Sequence, residues 1–238
     1  MTLPSADWGR LYLMPVWLGD HGGIEQLPPE NIALASRITL YFCEHEKTAR
    51  QMLRRMVPGI DLARIELHRL DKDTTAAEAL LKHLSNGRDG AILSEAGMPG
   101  IADPGALLVS AAHRSGVTVI PLIGPSSLLL ALAASGLNGQ SFTFHGYLPV
   151  KPAERRQAIK RLEQDAQRSG AAQIFIETPY RNDALLADLM VTCAPGTALC
   201  IAIDLTQPGG SAATHRISDW RKRVPSLGKR PAVFIIGK

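Results

Sequence analysis

One stretch of this sequence combines residue types that suit the binding of a ligand by the main chain. Residues 94–105 read Ser-Glu-Ala-Gly-Met-Pro-Gly-Ile-Ala-Asp-Pro-Gly and follow a short apolar strand signal. Gly97 and Gly100 allow backbone angles and close approaches that a side chain would prevent, and Pro99 stiffens the turn between them. Asp103 is predicted to cap a following helix, which brings free N–H groups to the same loop. An ordinary strand-to-helix connection has a similar composition, so both interpretations stay open at this point.

The sequence lacks the other short motifs that assign a common chemistry. Residues 19–23 read Gly-Asp-His-Gly-Gly, which does not match the dinucleotide pattern G-x-G-x-x-G, and no G-x-x-x-x-G-K-[ST] occurs. The seven His are scattered without metal-ligand spacing, and the three Cys lack C-x-x-C spacing. We therefore expect no metal site and no disulfide framework.

Five motifs occur in order along the chain. Besides residues 94–105, they are the strand end at residues 15–19, Gly-Pro-Ser-Ser at 124–127, Gly-Tyr-Leu-Pro-Val-Lys at 146–151 and Glu-Thr-Pro-Tyr-Arg at 177–181. Together they resemble the tetrapyrrole methylase superfamily, in particular its ribosomal RNA cytidine 2′-O-methyltransferase branch. The resemblance covers nearly the whole chain. It implies methyl transfer from S-adenosylmethionine on a two-domain α/β scaffold, and it implies a homodimer.

The resemblance also implies which residues form the site. Glu95 stands where the RNA-modifying branch has Asp, so it is the candidate catalytic residue, a carboxylate that would accept the proton of a ribose hydroxyl. Structural anchoring of the loop is the alternative role for Glu95. The donor-binding residues carried over from the superfamily are Pro15, Gly97, Met98, Ile101, Ser126, Ser127, Tyr180, Leu205 and Ala232.

The elements that must position these residues alternate between strand and helix. In the first half, the apolar runs that indicate strands are residues 11–16, 38–43, 65–70, 91–93 and 117–120. Such alternation predicts a parallel sheet with helices on both faces, with ligands at the carboxyl ends of the strands. A small-residue turn at 136–139 then precedes a second α/β unit.

We therefore expect an α/β fold with two domains, residues 1–137 and residues 138–238. Each domain is expected to hold a mostly parallel or mixed sheet flanked by helices, with the ligand crevice between the two domains. The chain is expected to end directly after its last strand, without an added C-terminal domain.

Charge is distributed unevenly along the chain. Residues 1–123 carry 12 Lys and Arg against 14 Asp and Glu, whereas residues 124–238 carry 14 against 8. A basic cluster lies at the start of a predicted helix and comprises Lys151, Arg155, Arg156, Lys160 and Arg161. Contact with RNA phosphates and an ordinary solvated helix face both explain this cluster. The basic second half favours a nucleic-acid partner.

Three functions remain open on this basis. The first is a methyltransferase that acts on a ribose 2′-hydroxyl of ribosomal RNA. The second is a methylase of a tetrapyrrole or another small metabolite, and the third is a non-catalytic module that binds S-adenosylmethionine. Two departures from the RNA branch concern the acceptor: residues 44–47 replace an acidic-Thr-Arg sequence, and residues 206–215 lack an acidic residue.

The apolar runs are too short and too often interrupted by charge for a membrane span. The first ten residues lack the basic-then-apolar pattern of a secretory signal. We therefore expect a cytoplasmic protein that does not associate with membranes.

Overall fold

The computed structural model describes residues 8–70 and 73–238. The first seven residues, on which the expectation of no secretory signal partly rests, lie outside the described residues. The chain divides into two compact units, Met1–Ser126 and Ser127–Lys238. Within the described parts of the chain, no helix has both the length and the apolar character needed to cross a membrane.

The first unit is built on a parallel sheet. Its strands are β1 (Leu11–Met14), β2 (Leu40–Cys43), β3 (Glu66–Arg69), β4 (Gly90–Leu93) and β5 (Val119–Pro121). Its helices are α1 (Pro29–Ala35), α2 (Glu46–Met56), α3 (Thr74–Leu81) and α4 (Ala106–Arg114). The strand order is β3-β2-β4-β1-β5, and every neighbouring pair runs parallel. The parallel sheet predicted from the sequence is confirmed.

The apolar strands of this sheet are explained by burial on both faces. Along β2, Tyr41 and Cys43 pack with residues of α1 and α2, whereas Leu40 and Phe42 pack with residues of α3 and α4. Successive side chains of a strand point to opposite faces, so a sheet covered on both sides needs a continuous apolar run.

The second unit holds a mixed sheet. Its strands are β6 (Phe142–Tyr147), β7 (Ala172–Ile176), β8 (Ala198–Ile203), β9 (Ser211–Arg216) and β10 (Ala232–Gly237). Its helices are α5 (Ser127–Ser135), α6 (Pro152–Ser169), α7 (Asn182–Thr192) and α8 (Ile217–Trp220). The order is β6-β7-β10-β8-β9, with β6 and β7 parallel and the other neighbours antiparallel. The predicted α/β architecture is confirmed here as well.

The division between the units differs from the boundary that we predict from the sequence at 137/138. Leu128 and Ala131 of α5 pack against Val233 and Ile235 of β10, so the whole helix belongs to the second unit. Leu137 also packs on this sheet, because a Cβ placed at Gly237 would lie only 2.7 Å from Leu137 Cδ2. The small-residue turn at 136–139 therefore joins two elements of one unit.

Candidate functional site

The carboxyl ends of the parallel strands bring together the first group of predicted site residues. Pro15 directly follows β1, and its neighbour Val16 donates a hydrogen bond from its main-chain N to the carbonyl O of Gly97 at 3.0 Å. A Cβ placed at Gly124 would lie 2.3 Å from Pro15 Cβ, so only glycine fits there. The exits of β1, β4 and β5 are thus packed on one another within the first unit.

Residues 94–105, called the β4 loop below, carry three glycines with a positive φ, namely Gly97, Gly100 and Gly105. Gly97 has a φ of 69°, and a Cβ there would lie 3.1 Å from Pro125 O and 3.2 Å from Leu18 Cδ2. Gly100 has a φ of 76°, and a Cβ there would meet nothing within 4 Å. The loop is therefore packed against the residues after β5 at Gly97 and open at Gly100.

The N terminus of α4 corrects one prediction made from the sequence. Asp103 does not cap this helix: α4 begins at Ala106, and its N-cap is Gly105, which makes no side-chain hydrogen bond. Asp103 Oδ2 instead accepts a hydrogen bond from Ser94 Oγ at 2.6 Å. This hydrogen bond joins the start of the β4 loop to a residue near its end. Next to Asp103, Ala102 has a left-handed φ of 61°.

Glu95 lies beside a histidine from the neighbouring strand exit. Its Oε1 is 2.9 Å from His45 Nδ1, and the Glu95 side chain is one-third exposed. Because β2 and β4 are adjacent in the sheet, the residues that follow them meet. Glu44 completes the group, since one donor atom from each of the three residues lies within 4.8 Å of the others. His45 is the N-cap residue of α2, but its side chain makes no capping hydrogen bond to that helix.

The acidic side chains make this edge electronegative. Burial raises the pKa of Asp103 above its ordinary value, and the charges of Glu44 and Glu95 add to the increase, while the hydrogen bond from Ser94 opposes it. The charges of Glu44 and Glu95 therefore raise the cost of ionising Asp103. A cationic group bound at this edge would be stabilised by these charges.

The predicted donor-binding residues of the first unit differ in exposure. Pro15, Gly97 and Ser126 are buried, Met98 is half-buried, and Ile101 is 46% exposed. The buried residues can offer a ligand little beyond main-chain atoms. Ile101 therefore presents an exposed apolar side chain on this loop, whereas the other large apolar residue of the loop, Met98, is half-buried.

The second unit brings together three of its four predicted site residues at one end of its sheet. Tyr180 follows β7 in a 3₁₀ turn at Pro179–Arg181, Leu205 follows β8, and Ala232 begins β10. Ala232 pairs with Ile203, the last residue of β8, and β7 is the other neighbour of β10. Ser127 is the fourth, at the first position of α5. Tyr180 is 70% exposed, with the Arg181 guanidinium carbon 5.5 Å from its ring centroid.

Backbone strain concentrates in the loops that carry these residues. Among the described residues, four that are not glycine have a positive φ: Asn86, Ala102, Asp204 and Thr206. Ala102 lies in the β4 loop, and Asp204 and Thr206 flank Leu205. Non-glycine residues in this conformation are costly and cluster at ligand sites, so their positions support both loops as functional segments.

Three residues close to Tyr180 in the sequence each have a buried polar side-chain atom that lacks a hydrogen-bond partner among the described residues. Glu177 Oε2, Arg181 Nε and Asn182 Oδ1 have no hydrogen-bond partner within the part of the chain that the structure describes. The other carboxylate oxygen, Glu177 Oε1, accepts hydrogen bonds from Thr178 N at 2.6 Å and Arg181 Nη2 at 2.5 Å. Buried polar groups are normally satisfied, so this segment has capacity for additional hydrogen bonds.

The basic cluster of α6 does not form a continuous basic surface. Arg155 is buried, and its Nε and Nη2 contact Asp188 Oδ2 at 2.7 and 2.6 Å. Arg156 Nε donates to the other oxygen of the same carboxylate at 2.6 Å. Lys160 and Arg161 remain exposed on the helix. The expectation of phosphate contact therefore does not hold for Arg155, which instead anchors α6 to α7.

Sequence reasoning missed two features of the site. The His45–Glu95 contact depends on the strand order, which local periodicity does not reveal. The pairing of Arg155 with Asp188 joins residues of different helices. The only sequence signal for the His45–Glu95 contact was the replacement of the acidic-Thr-Arg sequence at residues 44–47.

Other proteins share the fold and the sequence pattern of this chain. The sequence profile described as Tetrapyrrole (Corrin/Porphyrin) Methylases matches residues 22–211. A solved structure titled "Crystal structure of the methyltransferase CobJ" has a TM-score of 0.62 at 21% identity, covering 98% of this chain and 95% of that one.

Two relatives have higher sequence identity. A protein of Xylella fastidiosa named "Ribosomal RNA small subunit methyltransferase I" is 34% identical over 84% of this chain and 69% of its own length. A protein of Escherichia coli O157:H7 with the same name is 31% identical over 98% of this chain and 79% of its own length. The chain belongs to the tetrapyrrole methylase family. It is a methyltransferase whose methyl donor is S-adenosylmethionine.

Proposed function

We propose that this methyltransferase acts on ribosomal RNA and methylates a ribose 2′-hydroxyl. The observation that carries the proposal is the similarity to the Escherichia coli relative, which extends over 98% of this chain. The motif resemblance to the cytidine 2′-O-methyltransferase branch supports the choice of the hydroxyl. The exposed Lys160 and Arg161 and the excess of basic residues in the second half support a polyanionic acceptor.

The residues of the chain suit the donor. Bound S-adenosylmethionine supplies an activated methyl group on a positively charged sulfonium. The electronegative edge formed by Glu44, Glu95 and Asp103 would stabilise that charge. The open side of Gly100 leaves space beside the main chain, and the exposed Ile101 offers apolar contact. We assign donor binding to Pro15, Gly97, Met98, Ile101 and Ser126 in the first unit. In the second unit we assign it to Ser127, Tyr180, Leu205 and Ala232.

Methyl transfer to a hydroxyl requires that the hydroxyl proton be accepted. A new O–C bond forms to the acceptor oxygen, the S–C bond of the donor breaks, and the proton must leave the oxygen. We propose that the Glu95 carboxylate receives this proton and that His45 holds the carboxylate in position through the 2.9 Å contact. The same geometry allows the reverse assignment, in which Glu95 orients His45 and Nε2 of the imidazole receives the proton.

The two assignments predict the larger loss of kcat in different variants. If Glu95 is the base, Glu95→Gln should lower kcat by about 10²-fold or more, with much less effect on donor affinity. His45→Gln should then cost considerably less, because it removes only a positioning contact. A larger loss in His45→Gln would transfer the role of base to His45. Equal loss of donor affinity and kcat in Glu95→Gln would indicate that Glu95 anchors the loop.

The acceptor is tested by mass spectrometry of ribosomal RNA. A strain that lacks the gene should lack one 2′-O-methylated nucleoside, and the purified protein with S-adenosylmethionine should restore it on the isolated small-subunit RNA. If every ribose methylation persists in that strain, the RNA proposal is refuted and the small-metabolite methylase replaces it. Donor binding without transfer to any acceptor would instead support a non-catalytic module.

The RNA surface is tested by a pair of double variants. Lys160→Ala with Arg161→Ala should weaken RNA binding and reduce the log-log salt slope by about 0.7 to 0.9 for each lost phosphate contact. Arg37→Ala with Arg54→Ala removes the same charge from exposed positions of the first unit and serves as the control. Equal effects of the two pairs would remove α6 from the interface.

The proposal includes two further expectations. The motif resemblance supports a homodimer, which sedimentation at micromolar concentration would check. A ribosomal RNA substrate supports location in the cytoplasm.

A further inference from the structure

Three potential metal ligands meet at the outer strand of the first sheet, on residues with no part in the proposed methyl transfer. Glu66 and His68 are two residues apart on β3, so their side chains emerge on the same face. His83 lies in the 3₁₀ turn Lys82–Leu84 that follows α3. One carboxylate oxygen and two imidazole nitrogens lie within 4.8 Å of one another.

We propose that Glu66, His68 and His83 form a binding site for a divalent transition-metal ion of the Zn²⁺ class. Two imidazoles with one carboxylate are a donor set that suits Zn²⁺, and it leaves a fourth position for water. Mg²⁺ prefers an octahedron of oxygen ligands, which this group does not offer.

The distances are compatible with a single ion. Ligand bonds of 2.0–2.1 Å in a tetrahedral site separate two donor atoms by about 3.3 Å. His83 Nδ1 lies 3.2 Å from Glu66 Oε1, which matches this value. His68 Nε2 lies 2.6 Å from the same oxygen, so it would move outward by less than about 1 Å. The rings of His68 and His83 lie with centroids 3.8 Å apart, so the outward movement of His68 would also separate the two rings.

A second interaction prepares the carboxylate for an ion. Arg88 Nη1 contacts Glu66 Oε2 at 2.5 Å, which leaves Oε1 directed at the two imidazoles. Outer contacts of this type fix ligand orientation in metal sites. The side chains of His68, Glu66 and His83 are 23%, 39% and 36% exposed, so solvent provides an entry path for the ion.

The proposed ion would connect two elements that are distant in sequence. It would link β3 to the turn after α3, within the first unit. Because a ligand that binds only the folded state stabilises it by mass action, the ion should raise the stability of this unit. This inference does not depend on the identity of the methyl acceptor.

The test is calorimetric titration of the full-length protein, stripped with a chelator, with ZnCl₂. We expect one ion per chain, a thermal midpoint that rises with Zn²⁺ concentration, and no binding of MgCl₂. Affinity should fall in acid, since the imidazoles must be neutral to bind. Co²⁺ in place of Zn²⁺ should give the visible absorption of a tetrahedral site.

Variants separate metal binding from simple hydrogen bonding. Glutamine retains an amide that can donate to Glu66 but is a poor transition-metal ligand, so His68→Gln and His83→Gln should fold. Each should weaken Zn²⁺ binding by more than about 100-fold, beyond the 10- to 100-fold range of outer-sphere changes such as Arg88→Ala. His113→Ala, an exposed histidine on α4, should bind Zn²⁺ normally.

Two outcomes would overturn the proposal. The first is the absence of Zn²⁺ binding in the wild-type protein, which would leave Glu66 as the acceptor of an ordinary hydrogen-bonded cluster. The second is binding that survives His68→Gln and His83→Gln. If that binding is lost in His45→Ala instead, the ion belongs to Glu44, His45 and Glu95 at the β4 loop.

Discussion

Replacement of Gly97 by alanine tests how the β4 loop is built. The added methyl group has two separate costs. Gly97 has a φ of 69°, a region in which an L-residue is disfavoured by about 1–2 kcal/mol. The new Cβ would also lie 3.1 Å from Pro125 O and 3.2 Å from Leu18 Cδ2. These contacts are tighter than ordinary van der Waals contact, so the loop or its neighbours must shift.

Two other glycines provide matched controls for the backbone cost alone. Gly100 in the same loop and Gly87 in a turn before β4 have φ values of 76° and 71°, and a Cβ at either meets nothing within 4 Å. Gly87→Ala and Gly100→Ala should each lower the free energy of unfolding by about 1–2 kcal/mol. Gly97→Ala adds an overpacking cost of about 1–3 kcal/mol, for a total of roughly 2–5 kcal/mol.

The assay compares unfolding with donor binding. Urea unfolding gives the stability change, and calorimetric titration with S-adenosylmethionine gives the dissociation constant. The new Cβ at position 97 should displace Pro125, which directly precedes the proposed donor-binding residue Ser126. Gly97→Ala should therefore weaken donor binding by about tenfold or more, which corresponds to about 1.4 kcal/mol of binding free energy. Gly87→Ala should leave it unchanged. Wild-type donor affinity in a folded Gly97→Ala variant, or an equal loss in Gly87→Ala, would refute the reasoning.

Two further predictions concern the carboxylates of Asp103, which is partly buried, and Asp188, which is buried. Burial raises the pKa of Asp103 above 3.8, so the folded protein favours the protonated carboxyl group. The stability that this preference contributes is fully present below pH 3.8 and is lost as the pH rises through the raised pKa. The stability of Asp103→Asn relative to the wild type, measured by urea unfolding, should therefore increase as the pH rises from 3.8 through the raised pKa, and a constant difference would contradict this. Asp188→Ala leaves the buried Arg155 guanidinium without its carboxylate partner, so it should lower the free energy of unfolding by about 3–5 kcal/mol. Arg168→Ala breaks only an exposed pair and should cost at most about 1 kcal/mol, so similar thermal midpoints for the two variants would argue against the anchoring role.

Local patterns were sufficient to predict the elements and the family. The apolar run that became β2 is buried on both faces, and such continuous runs alternating with helical segments are characteristic of parallel sheets. The glycines at positions 97 and 100 were recognised because glycine is the residue that adopts a left-handed conformation most easily. These signals lie within a few residues of one another along the chain.

Long-range packing decided the features that the sequence left open or led us to mispredict. Asp103 has the residue type of a helix cap, yet the proximity of Ser94 across the loop provides a competing hydrogen bond. In the sequence, Arg155 has the pattern of a solvent-exposed basic residue, yet in the structure it forms a buried ion pair with Asp188 of α7. Helix α5 follows the first sheet in the chain, but its apolar face is covered by the second sheet.

The sequence by itself therefore determined the α/β class, most of the strands and helices, the glycine-rich loop and membership of the methylase family. Only the tertiary structure decided that His45 meets Glu95 and that His83 meets Glu66 and His68. Both contacts join residues far apart in the chain, and they follow from the strand order and from the path of the chain after α3. Periodicity reports which face of an element is buried, whereas the identity of its neighbours depends on packing across the whole unit.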